Sequence, residues 1–483
     1  VLAEQLKMHI KQQRVLPKSQ HGFRPKHSPE SAIIELIDEI ASQRDQRNTV
    51  VVASADLAGA FDTVDHERLV GKLQKRAGIE GAALELLGDY LKGRSQRTKK
   101  NSGGSSGWVE IPWGVPQGSV MGPLLFALFC EDLQEWVPGA KIVQFADDVT
   151  LITSDRDPER AVQKMNEALE QFERYAAGNW LAPEPTKTQV LYCTGVDKGK
   201  IKTKCEMAGQ ELEVTEAIKI LGFHLDEGLS GEEHCAKAAG KAAAATAAVK
   251  RATRYLRKED KVTLLEALAH PYLDYCQNAL YNTTEAADSL VRRAYNRTAR
   301  VAAGLGRTKP SLKKVGWASW EKRREATREA MVAKVVLDKE PQVLWELLPP
   351  KIRRDMALRG ETRGELETPA ARLSAGEKAF RVWGPRVYNE SLANGEEPEE
   401  GTFQEEEGGG TRRIRKQGKA PKDEDVTERE GYYGYLNHKF KAQGETKDED
   451  GWVVAWTDGS KIETGNGETA GAGIFYSAGN PRN

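Results

Sequence analysis

The sequence predicts an α+β fold. Three observations carry that expectation. Residues 50–225 alternate apolar strands with helical stretches, yet lack the regular strand-helix-strand period of a doubly wound sheet. Residues 236–303 read almost wholly as helix. Two of the apolar strands run directly into carboxylates, at Asp56 and at the adjacent pair Asp147 and Asp148.

Taken in order, residues 1–50 look helical. Ser28 followed by Pro29 makes an N-cap and first turn, and Ile33, Ile34, Ile37 and Ile40 recur at helical spacing. The β-branched run from Thr49 to Ala55 reads as a buried strand, and Asp65 is placed to cap the helix that follows. Residues 94–107 form a basic, Gly/Ser-rich loop. Lys141 to Ile152 reads as strand, tight turn, strand, with both Asp147 and Asp148 at the turn. Asp157-Pro158 opens a helix with Met165, Leu169 and Phe172 on one face. In 290–302 one face carries Arg292, Arg293, Arg297 and Arg300, and the other carries Val291, Ala294, Thr298 and Val301. Residues 393–450, rich in Glu, Gly and Lys, read as a linker. An apolar strand then returns at Trp452–Trp456.

Composition narrows the function classes. The 483 residues predict about three domains. Hydrophobic residues make up 39%, and the longest apolar run, Leu124 to Cys130, is far short of the roughly 20 residues a bilayer span needs. No membrane partner is expected. The opening residues lack a signal-peptide core and an initiator Met, which predicts a piece of a longer protein. Five cysteines without CxxC spacing suggest no zinc site and point to a reducing, intracellular setting. The net charge of −1 excludes a uniformly basic nucleic-acid binder. However, residues 231–330 hold 20 Lys/Arg against 11 Asp/Glu, a net of +9, while 361–450 hold 15 against 21, a net of −6. A phosphate footprint can therefore sit on one segment of a neutral chain.

The strand-end carboxylates suggest phosphoryl transfer. Two hard cations about 3.5–4 Å apart clamp the attacking and leaving oxygens, and Mg²⁺ takes carboxylate oxygens. An isolated Asp-Asp is more often a surface turn. Here the turn is flanked by Ile142, Val143, Phe145, Val149, Leu151 and Ile152, and two charges at the tip of a buried hairpin are costly without compensation.

The motifs resemble those of reverse transcriptases. DLAGAFDTVDH from Asp56 is similar to the first catalytic motif, GVPQGSVMGPLLF from Gly114 to the second, and FADD from Phe145 to the third. QHGFRPKHS from Gln20 resembles the fingers motif. Pro185 to Thr188 resembles the fourth motif, and Ile220-Leu221-Gly222 the primer grip. The six stand in the family's order within about 200 residues. The form of Val115 to Phe126, and the segment from Leu290 to Pro310, are similar to non-LTR, LINE-type retrotransposons of the Jockey and I kind.

The resemblance implies a right-hand polymerase: fingers and palm with an antiparallel sheet in 1–228, a helical thumb in 229–305, and a connection with an acidic linker in 306–450. It implies two Mg²⁺ ions, replaceable by Mn²⁺, held by Asp56, Asp147, Asp148 and the Leu57 carbonyl. It implies Phe61 under the sugar of the incoming dNTP, excluding a 2′-hydroxyl. Gly114, Pro116, Gln117 and Gly118 would touch nucleotide and template, and Arg24 would hold template or triphosphate. Lys187 would protonate the leaving pyrophosphate, although Pro183–Thr186 replace the family's usual Asn before it. Leu221 and Gly222 would grip the primer, and the four arginines from Arg292 to Arg300 would contact nucleic acid. The implied partners are an RNA template, a DNA primer or target and dNTPs, in the nucleus and cytoplasm of a eukaryotic host. Residues 451–483 resemble the start of a ribonuclease H domain, with TDGSK supplying Asp458. Only Glu463 and Glu468 follow it, so no ribonuclease H activity is expected.

Two rivals remain. An RNA-dependent RNA polymerase has no use for a ring at Phe61, and a group II intron-type enzyme has no ribonuclease H start. A catalytically dead or domesticated binding protein need not keep Asp56, Asp147, Asp148 and Gln117.

Overall fold

A computed structural model describes residues 1–99, 104–195, 201–252, 256–349 and 365–393, and, as backbone strands alone, four short segments between 453 and 476. The fold is α+β, as the alternation of periods predicts. Helix α1 (Leu2–Gln13) ends at Arg14 in the left-handed region, and α2 (Pro29–Asp45) starts at the expected Ser28 cap, with Ser28 and Ser31 bonding reciprocally. The expected helical stretch 1–50 is thus two helices. The intervening residues 14–28 hold Pro17, Gly22 and Pro25, which do not sustain a helix.

Strand β1 (Thr49–Ala55) is followed by β2 (Leu57–Ala58), then by α3 (His66–Lys75), whose first turn is capped by Asp65 accepting from the Arg68 N–H at 2.7 Å. Next come α4 (Gly81–Leu91), the paired β3 (Ser95–Gln96) and β4 (Val109–Glu110), α5 (Gly122–Phe129) and α6 (Leu133–Trp136). The expected loop at 94–107 is therefore bracketed by a short ladder. Strands β5 (Lys141–Phe145) and β6 (Asp148–Asp155) form the expected hairpin, and α7 (Pro158–Gly178) is capped by Asp157. Then follow β7 (Ala182–Pro183), β8 (Gln189–Cys193), β9 (Glu206–Met207), β10 (Gln210–Glu211), β11 (Glu213–Thr215), β12 (Ala217–Ile220) and β13 (Phe223–Asp226).

The main sheet runs β11-β8-β1-β6-β5. It is antiparallel except where β11 joins β8 in parallel. β1 is its centre, and its apolar run serves both faces. Val51, Ala53 and Ala55 point into one core with Met165, Leu169 and Phe172 of α7. Val50 and Val52 point into a second core with Ile33, Leu36 and Ile40 of α2. A strand buried on both sides needs no polar alternation, which is why its sequence is continuously apolar.

The second core continues into α8 (Glu232–Ala252), α10 (His270–Asp274) and α11 (Glu285–Ala303), with a 3₁₀ turn at Gln277–Leu280, while α9 (Lys258–Leu268) buries Leu265 in a small third cluster with Val249 and Ala302. It also takes in α12 (Thr308–Val315), α13 (Trp320–Asp338), α14 (Gln342–Leu347) and α15 (Phe380–Ala393), including Trp320, Leu344, Phe380 and Trp383. This cluster crosses both residue 228 and residue 305. α15 is fastened to α2 by Arg381, whose backbone N–H and guanidinium bond the 1%-exposed Asp38.

Near the end, β14 (Val453–Trp456) pairs antiparallel with β17 (Gly473–Tyr476), and β15 (Ile462–Glu463) with β16 (Thr469–Ala470). Asp458 and the linker residues 394–450 lie outside the described residues. All five cysteines are buried thiols, and no helix among the described residues is long and apolar enough to cross a membrane.

Candidate active site

The pairing of β1 with β6 brings the acidic positions together. Ala55 stands opposite Val149, so Asp56 and Asp148 leave the same end of neighbouring strands. Asp147 and Ala146 make the turn between β5 and β6, where Phe145 faces Asp148. The carboxylates feel one another: desolvation, then the charges of Asp147 and Asp56, push Asp148 up to about 6. Asp147 is raised by desolvation and, after a lowering hydrogen bond from its own backbone, by Asp56. Among the described residues no three His, Cys, Asp or Glu side chains are yet drawn around a single point.

Asp56 is framed by the segment that follows β7. Its carbonyl accepts from Glu184 N–H at 3.0 Å, and Lys187 Nζ stands 3.5 Å from its Oδ2. Leu57 is buried and pairs with Pro183. The Phe61 ring stacks on Phe126 at 4.3 Å and 22°, and meets the edge of Phe23 at 6.3 Å. The glycine loop is tied to the same stretch. Gly114 N–H donates to Val64 O at 2.7 Å, Val115 N–H to Phe61 O at 2.8 Å, and His66 Nε2 bonds Gly114 O at 2.8 Å. Gly114 has φ +79, and a Cβ there would lie 2.8 Å from the Asp62 carbonyl oxygen, so only glycine fits. Pro116 is buried, while Gln117 and Gly118 are exposed. Gln117 Nε2 donates to both Asp62 carboxylate oxygens at 2.9 and 3.0 Å, a partner the sequence did not announce.

Leu221 and Gly222 form the two-residue turn of the β12–β13 hairpin, both with positive φ. The Tyr275 hydroxyl donates to Leu221 O, and a small cleft lined by Phe145, Asp148, Thr150, Ile220 and Leu221 joins this turn to the carboxylates.

Two of the expected contact residues, Arg24 and Arg292, have partners within the chain. Arg24 was expected to hold template or triphosphate. Its Nη1 donates to Pro17 O at 2.7 Å and Gln20 O at 3.1 Å, locking its own loop, because a half-buried guanidinium takes the carbonyls a tight loop leaves over. Arg292 is likewise engaged, with Glu285 at 2.5 Å, Glu321 at 3.5 Å and Asp288 at 3.7 Å. Arg300 bonds Thr308 Oγ1, while Arg293 and Arg297 lie exposed on α11, Arg293 bonded to Ser289.

The sequence quoted the fingers motif but missed its supporting network. His21 bonds Ser31 Oγ and Glu35 Oε2, each at 2.7 Å, and Lys141 Nζ pairs with Glu35 Oε1 at 2.5 Å. The signal was present in two buried-type polar residues, Gln20 and His21, placed before a glycine.

The family model described as reverse transcriptase (RNA-dependent DNA polymerase) matches residues 1–225. Residues 1–225 are a reverse transcriptase domain. The chain is 28% identical over 243 residues to the probable RNA-directed DNA polymerase from transposon BS of Drosophila melanogaster, covering 48% of this chain and 26% of that protein. It is 26% identical over 231 residues to the RNA-directed DNA polymerase from mobile element jockey of the same fly, covering 46% and 24%. The chain thus spans about a quarter of the length of these relatives. Their names agree with the non-LTR, Jockey-like resemblance of the motifs. A solved telomerase structure from Candida albicans aligns with this chain at a TM-score of 0.40 and 11% identity, over 71% of this chain and 53% of that one, a likeness too weak to bear on the fold.

Proposed function

We propose that this chain catalyses RNA-templated DNA synthesis, adding dNTPs to a primer 3′-hydroxyl, in a right-hand arrangement of fingers and palm (1–228), thumb (229–305) and connection (306–450). The observation that carries the reading is the meeting of Asp56, Asp147 and Asp148 at one sheet end, with Asp148 raised by burial and then by its two acidic neighbours.

The donor set suits Mg²⁺. It is all oxygen, it is anionic, and its mutual repulsion is what a bound divalent cation would offset. Asp56, Asp147, Asp148 and the Leu57 carbonyl are the residues that would hold two such ions. When bound, the ions supply charge neutralisation on the reacting phosphates.

The other roles belong to the chain's own groups. In the reaction the primer oxygen bonds the α-phosphorus as the bond to pyrophosphate breaks. Lys187, beside Asp56, is the proton donor to the leaving pyrophosphate. Phe61, braced from behind by Phe126, is the wall against a 2′-hydroxyl. Gly114, Pro116, Gln117 and Gly118 touch nucleotide and template, Leu221 and Gly222 hold the primer end, and Arg293 and Arg297 meet the backbone of the duplex. The paired strands near the C-terminus support the reading of a ribonuclease H-like segment there.

The test is primer extension on an RNA template with Mg²⁺, comparing the parent with Asp147→Asn. Extension by the parent that Asp147→Asn abolishes, with hybrid binding retained, is the expected result. A parent that binds the hybrid but never extends would instead be the inactive binding protein.

A further inference from the structure

We propose that Gln20 is a positioning residue for the catalytic turn: its buried side-chain oxygen holds the Ala146–Asp148 turn, and the cation affinity of the site depends on that hold. The inference rests on the reading of Asp56, Asp147 and Asp148 as cation ligands.

Gln20 is 1% exposed. Its Oε1 accepts from Gly22 N–H at 2.8 Å and from Ala146 N–H at 3.0 Å. The two donors fix which amide atom faces them. Nε2 meets no hydrogen-bonding partner, so the side chain is buried for its oxygen alone. Ala146 immediately precedes Asp147 and has φ +59, a region that Ala rarely adopts and that persists only where the surroundings determine it. The Gln20 oxygen is the side-chain partner of that strained residue.

The loop around Gln20 is itself held. Gln144 N–H donates to Ser19 O at 2.9 Å and His21 N–H to Gln144 O at 2.8 Å, a short parallel bridge along β5. His21 is pinned to α2 through Ser31 and Glu35, and Arg24 ties the loop's own carbonyls. Gly22 completes the fit: a Cβ there would lie 2.3 Å from the Ala146 nitrogen. Backbone therefore packs on backbone where the turn begins. Gln20 reaches the site only through Ala146. Groups that orient cation ligands from behind typically change affinity by about 10–100-fold when removed.

The experiment uses the full chain and its Gln20→Leu, Gly22→Ala and Asp147→Asn variants. Mn²⁺ is the probe, its binding read by electron paramagnetic resonance. Hydrogen exchange reads the peptide spanning the turn, and thermal melting reads the fold. Gln20→Leu and Gly22→Ala should each weaken Mn²⁺ binding about tenfold or more. Both should speed exchange in the turn while exchange in α7 stays at the parent level. A role in folding alone would lower the melting temperature and leave the Mn²⁺ affinity of the folded fraction unchanged. Mn²⁺ affinity within twofold of the parent in both variants overturns the role of Gln20. A parent that binds Mn²⁺ no better than Asp147→Asn overturns the cation reading of the site itself, and this proposal with it.

Discussion

Phe61 and Lys187 are side chains whose roles separate cleanly by measurement. Phe61 is half-buried, with Phe126 stacked behind it and Phe23 at its edge, so the ring cannot retreat. Phe61→Val should raise the ratio of ribonucleotide to deoxynucleotide incorporation by about tenfold or more, since shape-based exclusion of one small group is worth that much. An unchanged ratio would make Phe61 a packing residue. Lys187 is exposed, 3.5 Å from Asp56 Oδ2. As a proton donor it should contribute to turnover rather than to binding, so Lys187→Ala should lower kcat by about 100-fold with little change in KM for dNTP. A raised KM at parental kcat would show that Lys187 binds the triphosphate and does not protonate it.

Among the elements, α2 and α11 carry charge that can be read in solution. Glu35 of α2 is 2% exposed, and although burial pushes its pKa upward, hydrogen bonds and charge from His21 and Lys141 hold it below the usual 4.5. A carboxylate depressed on folding stabilises above its unfolded pKa and loses that stabilisation as pH falls through the folded value. The contribution is therefore complete above about pH 4.5 and fades below it. Glu35→Gln should flatten the acid limb of the stability curve, and an acid midpoint equal to the parent's would contradict the network's role. On α11, Arg293 and Arg297 face solvent while Arg292 is taken by three carboxylates. Arg293→Glu with Arg297→Glu should reduce the slope of log affinity for an RNA–DNA hybrid against log salt by about two units. Arg292→Ala should leave that slope nearly unchanged. If the double variant keeps the parental slope, this face of α11 meets only water.

Across the whole molecule, the sheet divides two cores, and α2 belongs to the one that reaches α15. Asp38 on α2 is buried, and Arg381 on α15 is its charge partner. Removing one member of such a pair leaves an uncompensated charge, at a cost of about 3 kcal/mol. Arg381→Ala should therefore shift the urea midpoint downward by an amount of that order. A change near zero would mean that the segment beyond residue 365 rests on the polymerase core without supporting it.

Local chemistry determined what the sequence could announce by itself. Ser28-Pro29, Asp65 and Asp157-Pro158 start helices because a cap acts within one turn. Thr49–Ala55 is a strand because its β-branched run suits a sheet buried on both faces. The six motifs and their order identified the polymerase domain, since each motif is contiguous. Only the tertiary structure decided which of these pieces meet. Asp56 joins Asp147 and Asp148 through the pairing of residue 55 with residue 149, a contact that no local propensity encodes. Arg24 turned inward to carbonyls of its own loop, and Gln20 reached across 126 residues to Ala146. Helices α14 and α15, in the stretch expected as a connection, packed back onto α2. Such long-range partners are selected by the burial and hydrogen bonding of the whole packed chain, and neither is fixed until the sheet has closed.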